Sequence, residues 1–312
     1  MRGLNIVILA LCCFLSMVSN SCIKERCAGC GESYDSLSSR LLITFSGNYE
    51  NGFLKTRSNN KIREGIRAAI FTYSSGDNPL HYPSFPGTPV VTTSDEWGNL
   101  CLAKGEYLFV PEGIYDFYAI SRNSDSLSGI TVSKGFSSPL ENSIDYLWSS
   151  FKESYIEVNT NIVFNFNHCS SRLIIEFIGS EFVKDAQIVS AAINPPERGG
   201  RMLLSSGEIS KASCIESEMI DMSLNGLSAG IIILPLAQGV NIPVEINVIA
   251  KFDGINPELR KCKGVVPAPE NGFEGGKSYL FKAKIYEQEL LFHQASVLDW
   301  ADEPAVNLTI AD

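Results

Sequence analysis

Apolar residues along most of this chain recur at every second position rather than every third or fourth. Tyr115, Phe117 and Ala119 alternate with Asp116 and Tyr118. Ile162, Phe164 and Phe166 alternate with Val163, Asn165 and Asn167, and Leu173, Ile175 and Phe177 follow after Ser170-Ser171. The cleanest run is Ile242, Val244, Ile246, Val248 and Ala250, set against Pro243, Glu245 and Asn247. Tyr279, Phe281, Ala283 and Ile285 repeat it against Ser278, Lys282 and Lys284. Successive side chains of a strand point to opposite faces, so each run offers one apolar row to a core. Leu41 to Ser46 and the alternating Ile66, Ala68, Ile70 and Thr72 open the series. Gly, Pro, Asn and Asp separate the runs at short intervals, as between short strands. Helical periodicity is thin, and only Leu140 to Lys152 has room for a turn or two. The pattern predicts an all-β protein built from sandwiches.

The beginning of the chain follows another rule. Arg2 precedes an apolar run from Leu4 to Val18, broken only by Asn5 and Ser16, and Ser19-Asn20-Ser21 then leads into Cys22. These are the parts of a signal peptide, here 1–21, with a cysteine where an exported lipoprotein is cut and acylated. The run is shorter than the roughly 20 residues that cross a bilayer comfortably. A secretory peptide with an incidental cysteine, or an uncleaved anchor, are the alternatives. Residues 22–38 are polar, carry Gly and Ser and lack an apolar face, which reads as a tether.

Composition adds limits. The 312 residues, 45% hydrophobic and 10% aromatic, suit about two globular domains. The Asn159-Thr160-Asn161 step divides them into 39–160 and 161–312. A net charge of −10, one more negative without the leader and its Arg2, argues against nucleic acid, which needs clustered Lys and Arg. Of nine cysteines, Cys12 and Cys13 leave with the leader and Cys22 takes lipid. Cys27, Cys30, Cys101, Cys169, Cys214 and Cys262 remain, an even number that permits several disulfide pairings. Dispersed cysteines are otherwise small buried hydrophobes. Cys27-Ala28-Gly29-Cys30 has redox or zinc spacing, but no second pair follows at ligand distance, so no metal site is assigned.

No catalytic motif emerges. Three histidines occur, His81, His168 and His293, and the chain has no Gly-x-Ser-x-Gly, His-Glu-x-x-His or phosphate-binding glycine loop. His168-Cys169 has the residue types of a nucleophilic pair, yet neighbours in a strand face opposite ways. A core histidine bonded through one ring nitrogen is the better reading of His168. Carboxylates such as Glu153, Glu157, Asp185, Glu216, Glu218 and Asp221 are read as solvated. Neither an enzyme nor a cofactor is expected.

Several segments, taken in order, resemble the fimbrillin-like proteins of Bacteroidia, which include type V pilins and fimbrial antigen-like lipoproteins. Ile43-Thr44-Phe45-Ser46 followed by Lys55-Thr56-Arg57 is similar to their entry. Phe109 to Ala119 resembles their F-x-P-x-G-x-Y-x-F-x-A segment, and Asp145-Tyr146-Leu147 their D-x-L loop. Phe166-Asn167-His168-Cys169-Ser170-Ser171-Arg172-Leu173 resembles F-x-H-x-x-S-[KR]-L. Gly275 to Phe281, then Ser296-Val297-Leu298-Asp299-Trp300, is similar to their Asp-Trp ending.

The resemblance implies two tandem transthyretin-like β-sandwiches, a lipid anchor in the outer membrane through Cys22, and assembly with other fimbrial subunits. It further implies that an arginine-specific protease removes the strand Leu41–Phe45. Arg57 is the favoured cut, and Arg63 and Arg67 are neighbouring alternatives. A strand from another subunit, here carrying Val306, Leu308 and Ile310, then fills the opened groove. The same tail reads equally as a final strand of its own domain. A non-polymerising lipoprotein that binds a glycan or protein ligand on a host or bacterial surface is the second reading, with Tyr82, Phe85, Trp97 and Trp148 as candidate contacts. Asp35-Ser36-Leu37 and Asp125-Ser126-Leu127 resemble the short O-glycosylation sequence of these bacteria.

Overall fold

Every regular element among the described residues is a β-strand, as the period-two pattern predicts. The computed structural model describes residues 40–50, 60–80, 88–196, 200–210, 218–252, 254 and 256–300. Cys22, Arg57, Val306, Leu308 and Ile310 lie outside these residues, as do Cys27, Cys30, Cys214, Tyr82 and Phe85.

The first strands are β1 (Leu41–Tyr49), β2 (Arg67–Ser74), β3 (Val90–Ser94), β4 (Leu100–Leu102), β5 (Leu108–Val110) and β6 (Gly113–Ser121). The short β7 (Val132–Ser133) and β8 (Phe136–Ser137) pair with each other, and β9 (Leu147–Ile156) and β10 (Thr160–His168) follow. All but β7 and β8 form one eight-stranded sheet in the order β4-β3-β2-β6-β9-β10-β1-β5. The sheet curls until β4 lies beside β1: Gly47 N–H donates to Gly98 O at 2.8 Å, and Ser46 and Asn99 form an antiparallel bridge. Its interior holds Ile43, Phe45, Leu108, Val110, Phe117, Ile162, Phe164 and Phe166.

The second set comprises β11 (Ser171–Gly179), β12 (Val183–Ile193), β13 (Ile220–Asp221), β14 (Ser223–Asn225) and β15 (Ser228–Ile233). It continues with β16 (Ile242–Phe252), β17 (Glu258–Val266), β18 (Lys277–Ile285), β19 (Leu290–Phe292) and β20 (Ser296–Asp299). One sheet runs β14-β15-β11-β18-β19, with β20 also on β18, and the other runs β13-β12-β16-β17. Their inner rows meet as a sandwich core, Leu173, Ile175, Phe177, Tyr279 and Phe281 facing Val244, Ile246 and Val248.

A third apolar cluster sits on the other side of β2 and β6. Phe71, Tyr73, Tyr118 and Ile120 pack there against Leu140, Tyr146, Met202, Leu204, Ile209 and Leu234. The stretch 200–210, between β12 and β13, thus covers a face of the first sheet, and β6 is buried on both sides from Tyr115 to Ser121. Trp148 seals this contact, its indole N–H donating to Leu204 O at 2.7 Å.

One expectation changes. Leu140 to Lys152 holds no helix, because β9 runs through it and pairs with β6. A bulge at Tyr115/Phe117 breaks that pairing's register, Glu153 takes φ of 54°, and the Asp116 carboxylate accepts its backbone N–H at 2.7 Å. The step at Asn159–Asn161 joins β9 to β10 within one sheet. The core changes later, between His168 and Ser171, because Ile162, Phe164 and Phe166 face the first interior.

Cys101, Cys169 and Cys262 are free thiols, the first exposed and the others buried. Burial pushes the Cys262 thiol up, and burial followed by the Asp145 carboxylate raises that of Cys169. The Cys101 thiol is raised too, by desolvation and then by the Asp95 carboxylate, but it is exposed, so a thiol reagent should modify Cys101 in the folded chain and reach Cys169 and Cys262 only on unfolding. Mass spectrometry of labelled peptides before and after denaturant checks this, and rapid labelling of Cys169 in the folded state would contradict it.

Candidate functional site: the first strand and the His168 node

β1 alternates as a plug must. Ile43, Phe45, Gly47 and Tyr49 point into the first core, while Thr44, Ser46 and Asn48 face outward. Phe45 meets the Phe164 ring at 5.9 Å, nearly parallel, and Phe117 edge-on at 6.2 Å. Along one edge β1 runs parallel to β10 over seven residue pairs, from Ile43↔Thr160 to Tyr49↔Phe166. Side chains reinforce that register. Thr44 Oγ1 donates to Asn161 Oδ1 at 3.1 Å, Asn161 Nδ2 donates to Ser46 Oγ at 3.1 Å, and Leu42 N–H donates to Asn159 Oδ1 at 2.8 Å.

The other edge is bonded at Leu41–Ile43 and over Ser46–Tyr49, and among the described residues it has no backbone bridge at Thr44 and Phe45. Leu41 to Ile43 pair with β5, and Ser46 and Asn48 bridge Asn99 and Lys61. Between them lies a groove of about 560 Å³ lined by Leu42, Phe45, Leu100, Leu102, Tyr107 and Asn161. Gly47 is the tight point of the strand. A Cβ there would come within 3.0 Å of Ile62 and 3.1 Å of the Phe166 ring, so a larger residue at that place would make those two side chains give way.

β1 ends at a cluster of polar and aromatic groups around His168. The His168 Nδ1 and Asp145 Oδ1 are 2.8 Å apart, and both side chains are buried. Asn123 Nδ2 donates to Asp145 Oδ2 at 2.7 Å, and the Tyr49 hydroxyl donates to Asn123 Oδ1 at 2.8 Å. The Tyr49 ring also lies parallel to the imidazole, with centroids 5.9 Å apart. Trp300, directly after β20, stacks on the same imidazole at 4.6 Å.

Backbone contacts fix the Trp300 side of the node. Trp300 N–H donates to Gly276 O at 3.0 Å, and Gly276 N–H donates to Ser170 O at 2.8 Å. A Cβ on Gly275 would lie 2.5 Å from Cys169 O, so glycine permits the approach of the two segments. His168 is thus the bonded core histidine expected from the sequence, and the raised Cys169 thiol is no activated nucleophile.

Asp145, His168, Gly275-Gly276 and Trp300 were separate signals along the chain, and folding makes them neighbours. Tyr49 and Asn123 carried no sequence signal. Of the candidate ligand contacts, Trp148 is packed under Leu204. Trp97 is 63% exposed, on a turn whose backbone N–H groups at Trp97 and Asn99 both donate to Asp95 Oδ1 at 2.8 Å. Lys61 Nζ lies 5.2 Å from its ring.

The fold and site define an all-β protein of two main cores whose first described strand plugs the first of them. The chain belongs to the fimbrillin-like family, whose model matches residues 56–300. A putative cell adhesion protein from Bacteroides ovatus is similar in structure, with a TM-score of 0.58 and 14% identity over 85% of this chain and 99% of that one. Another putative cell adhesion protein, from Bacteroides uniformis, has a TM-score of 0.57 and 15% identity, with the same coverage of 85% and 99%. At such identities these likenesses establish the fold. No curated protein matches the chain.

Proposed function

We propose that the chain is a fimbrial subunit or fimbria-associated surface lipoprotein, held at the outer membrane by acylated Cys22 and serving adhesion. A cut at Arg57 matures it. The strand Leu41–Phe45 then yields its slot to a strand of another copy that carries Val306, Leu308 and Ile310. What supports this reading is the way β1 is held: paired with β10 from Ile43 to Tyr49, without a backbone bridge on its other edge at Thr44 and Phe45 among the described residues, and followed closely by the stretch that contains Arg57. In the tail, Asn307 and Thr309 alternate with the apolar residues as Thr44 and Ser46 do in β1. An incoming strand would regain the backbone bonds and apolar contacts that β1 gives up.

Cutting alone should not release the plug. Ile43, Phe45 and Tyr49 are buried, each worth roughly 1.5–3 kcal/mol in removal from water. Protein treated with an arginine-specific protease should show a new N-terminus at Ser58 while the cut piece stays bound, until a second copy or denaturant displaces it. Denaturation-resistant ladders on gels are the expected end state. A chain that resists the protease, or is cut and stays monomeric, excludes polymerisation by this route and leaves an anchoring role.

Trp97 supports the second reading, a ligand-binding surface lipoprotein, because its indole is presented on a braced turn. Glycan-array binding that disappears in Trp97→Ala would favour it. Binding unaffected by that change would remove its support.

A further inference from the structure

The geometry points to His168 as a mechanical joint between β1 and the root of the C-terminal tail. While Tyr49 is seated, the joint holds Trp300 in place; when Tyr49 leaves, Trp300 and the chain after it come loose. The proposal rests on the reading that β1 departs. It adds that this departure is sensed at the far end of the chain, so that a copy becomes an acceptor and a donor in one event.

Tyr49 touches the node twice. Its ring lies parallel to the imidazole, and its hydroxyl, through Asn123 and Asp145, reaches the oxygen pair that orients His168 Nδ1. The bonds form a circuit: Tyr49 hydroxyl to Asn123, Asn123 to Asp145, Asp145 to His168, and the His168 ring back beside Tyr49. Removing Tyr49 therefore removes an aromatic neighbour and also frees an amide that steadies the carboxylate. Trp300 depends on the same imidazole, stacked at 4.6 Å and 6°. Its backbone is held at this point by the bond to Gly276 O. Trp300 immediately precedes in sequence the stretch that carries Val306, Leu308 and Ile310.

Position in the fold makes this a joint rather than ordinary packing. Tyr49 closes β1, His168 closes the β10 strand that β1 pairs with, and Trp300 follows β20 of the second core's sheet. One imidazole thus contacts the end of the strand that leaves and the base of the segment that is donated. Asp145 lies on the linking stretch between β8 and β9, outside both moving parts.

The test uses the full, uncut chain labelled with 5-fluorotryptophan. Its three tryptophans, Trp97, Trp148 and Trp300, give three fluorine resonances, assigned by single Trp→Phe substitutions. Tyr49→Ala should shift or broaden the Trp300 resonance and leave those of Trp97 and Trp148 in place. Amide exchange of the peptide Ser296–Trp300 should rise by roughly tenfold, the scale of one lost aromatic contact plus one hydrogen bond. Tyr49→Phe, which keeps the ring and loses the hydroxyl, should give a smaller shift of the same resonance. If Tyr49→Ala unfolds the chain, all three resonances collapse together and Tyr49→Phe decides.

An unchanged Trp300 resonance in a folded Tyr49 variant overturns the joint. The outcome is separable from that of the cutting reaction. A chain the protease never opens, whose Trp300 nonetheless responds to Tyr49→Ala, keeps the joint and rejects departure of β1. A cut chain that loses β1 while Trp300 stays fixed does the reverse.

Discussion

Replacing Phe45 by alanine should destabilise the chain by about 3–5 kcal/mol, the usual range for emptying a buried phenylalanine site. The ring is 2% exposed and wedged between Phe117 and Phe164, which belong to the pleated walls of β6 and β10 and cannot collapse into the space. Urea unfolding followed by circular dichroism would measure the loss, with Thr44→Ala on the outward face as the control. Thr44 is exposed and makes one side-chain bond across to Asn161, so its loss should stay within about 1 kcal/mol. The same pair of variants distinguishes fit from mere pairing. After protease treatment, the Phe45→Ala piece should fall away from the body at lower denaturant than the unsubstituted piece. Equal retention would mean that backbone bonds to β10, not the apolar row, hold the plug.

Leu204→Asp should have an effect of similar size and a different form. Leu204 is fully buried in the third cluster, and its carbonyl accepts the Trp148 indole N–H. A carboxylate there enters an apolar cluster with one ammonium at its edge, that of Lys152 on Ser205 O and over the Tyr118 ring, and burying a charge of this kind is expected to cost roughly 3–4 kcal/mol. The chain avoids that cost by releasing 200–210 from β2 and β6. Those residues are the cover that couples the first sheet to the second set of strands, so calorimetry should show one transition becoming two. A single transition at reduced temperature would mean that the remaining links, the Trp300–His168 stack and the Ser143 N–H bond to Ile232 O among them, are enough to couple the two main cores.

The residues that betrayed themselves in the sequence are those whose partners lie on one side. β10, β11, β16 and β18 each keep one row in a core and a more polar row out, so period two names both their type and their facing. β6 shows what that logic misses. Asp116 and Tyr118 look like its solvent face, yet both are buried, because the cover comes from 200–210, some eighty positions away. β9 hides for a local reason. Leu147 and Ile156 face the same core although an odd nine positions separate them, and the bulge at Glu153 is what turns the strand between them.

Much of the candidate site was legible only as fragments. His168 was readable as a bonded core histidine, but its partner Asp145 is 23 positions away and nothing in the spacing links them. Trp300 and Tyr49 reach the same imidazole through the meeting of β10, β1 and the β20 end, a product of topology. Gly275 is the exception in kind: its meaning is a distance, 2.5 Å from a virtual Cβ to Cys169 O, which no one-dimensional pattern records.

The parallel alignment of β1 and β10 also bears on strength under load. A strand seated in this slot and pulled along its own axis would strain the hydrogen bonds of all seven residue pairs together instead of opening them one by one. Such shear loading makes the lifetime of the joint depend on a concerted rupture, and forced separation is a matter of rate. A filament built through this slot would therefore resist tension along its length far better than peeling from one end.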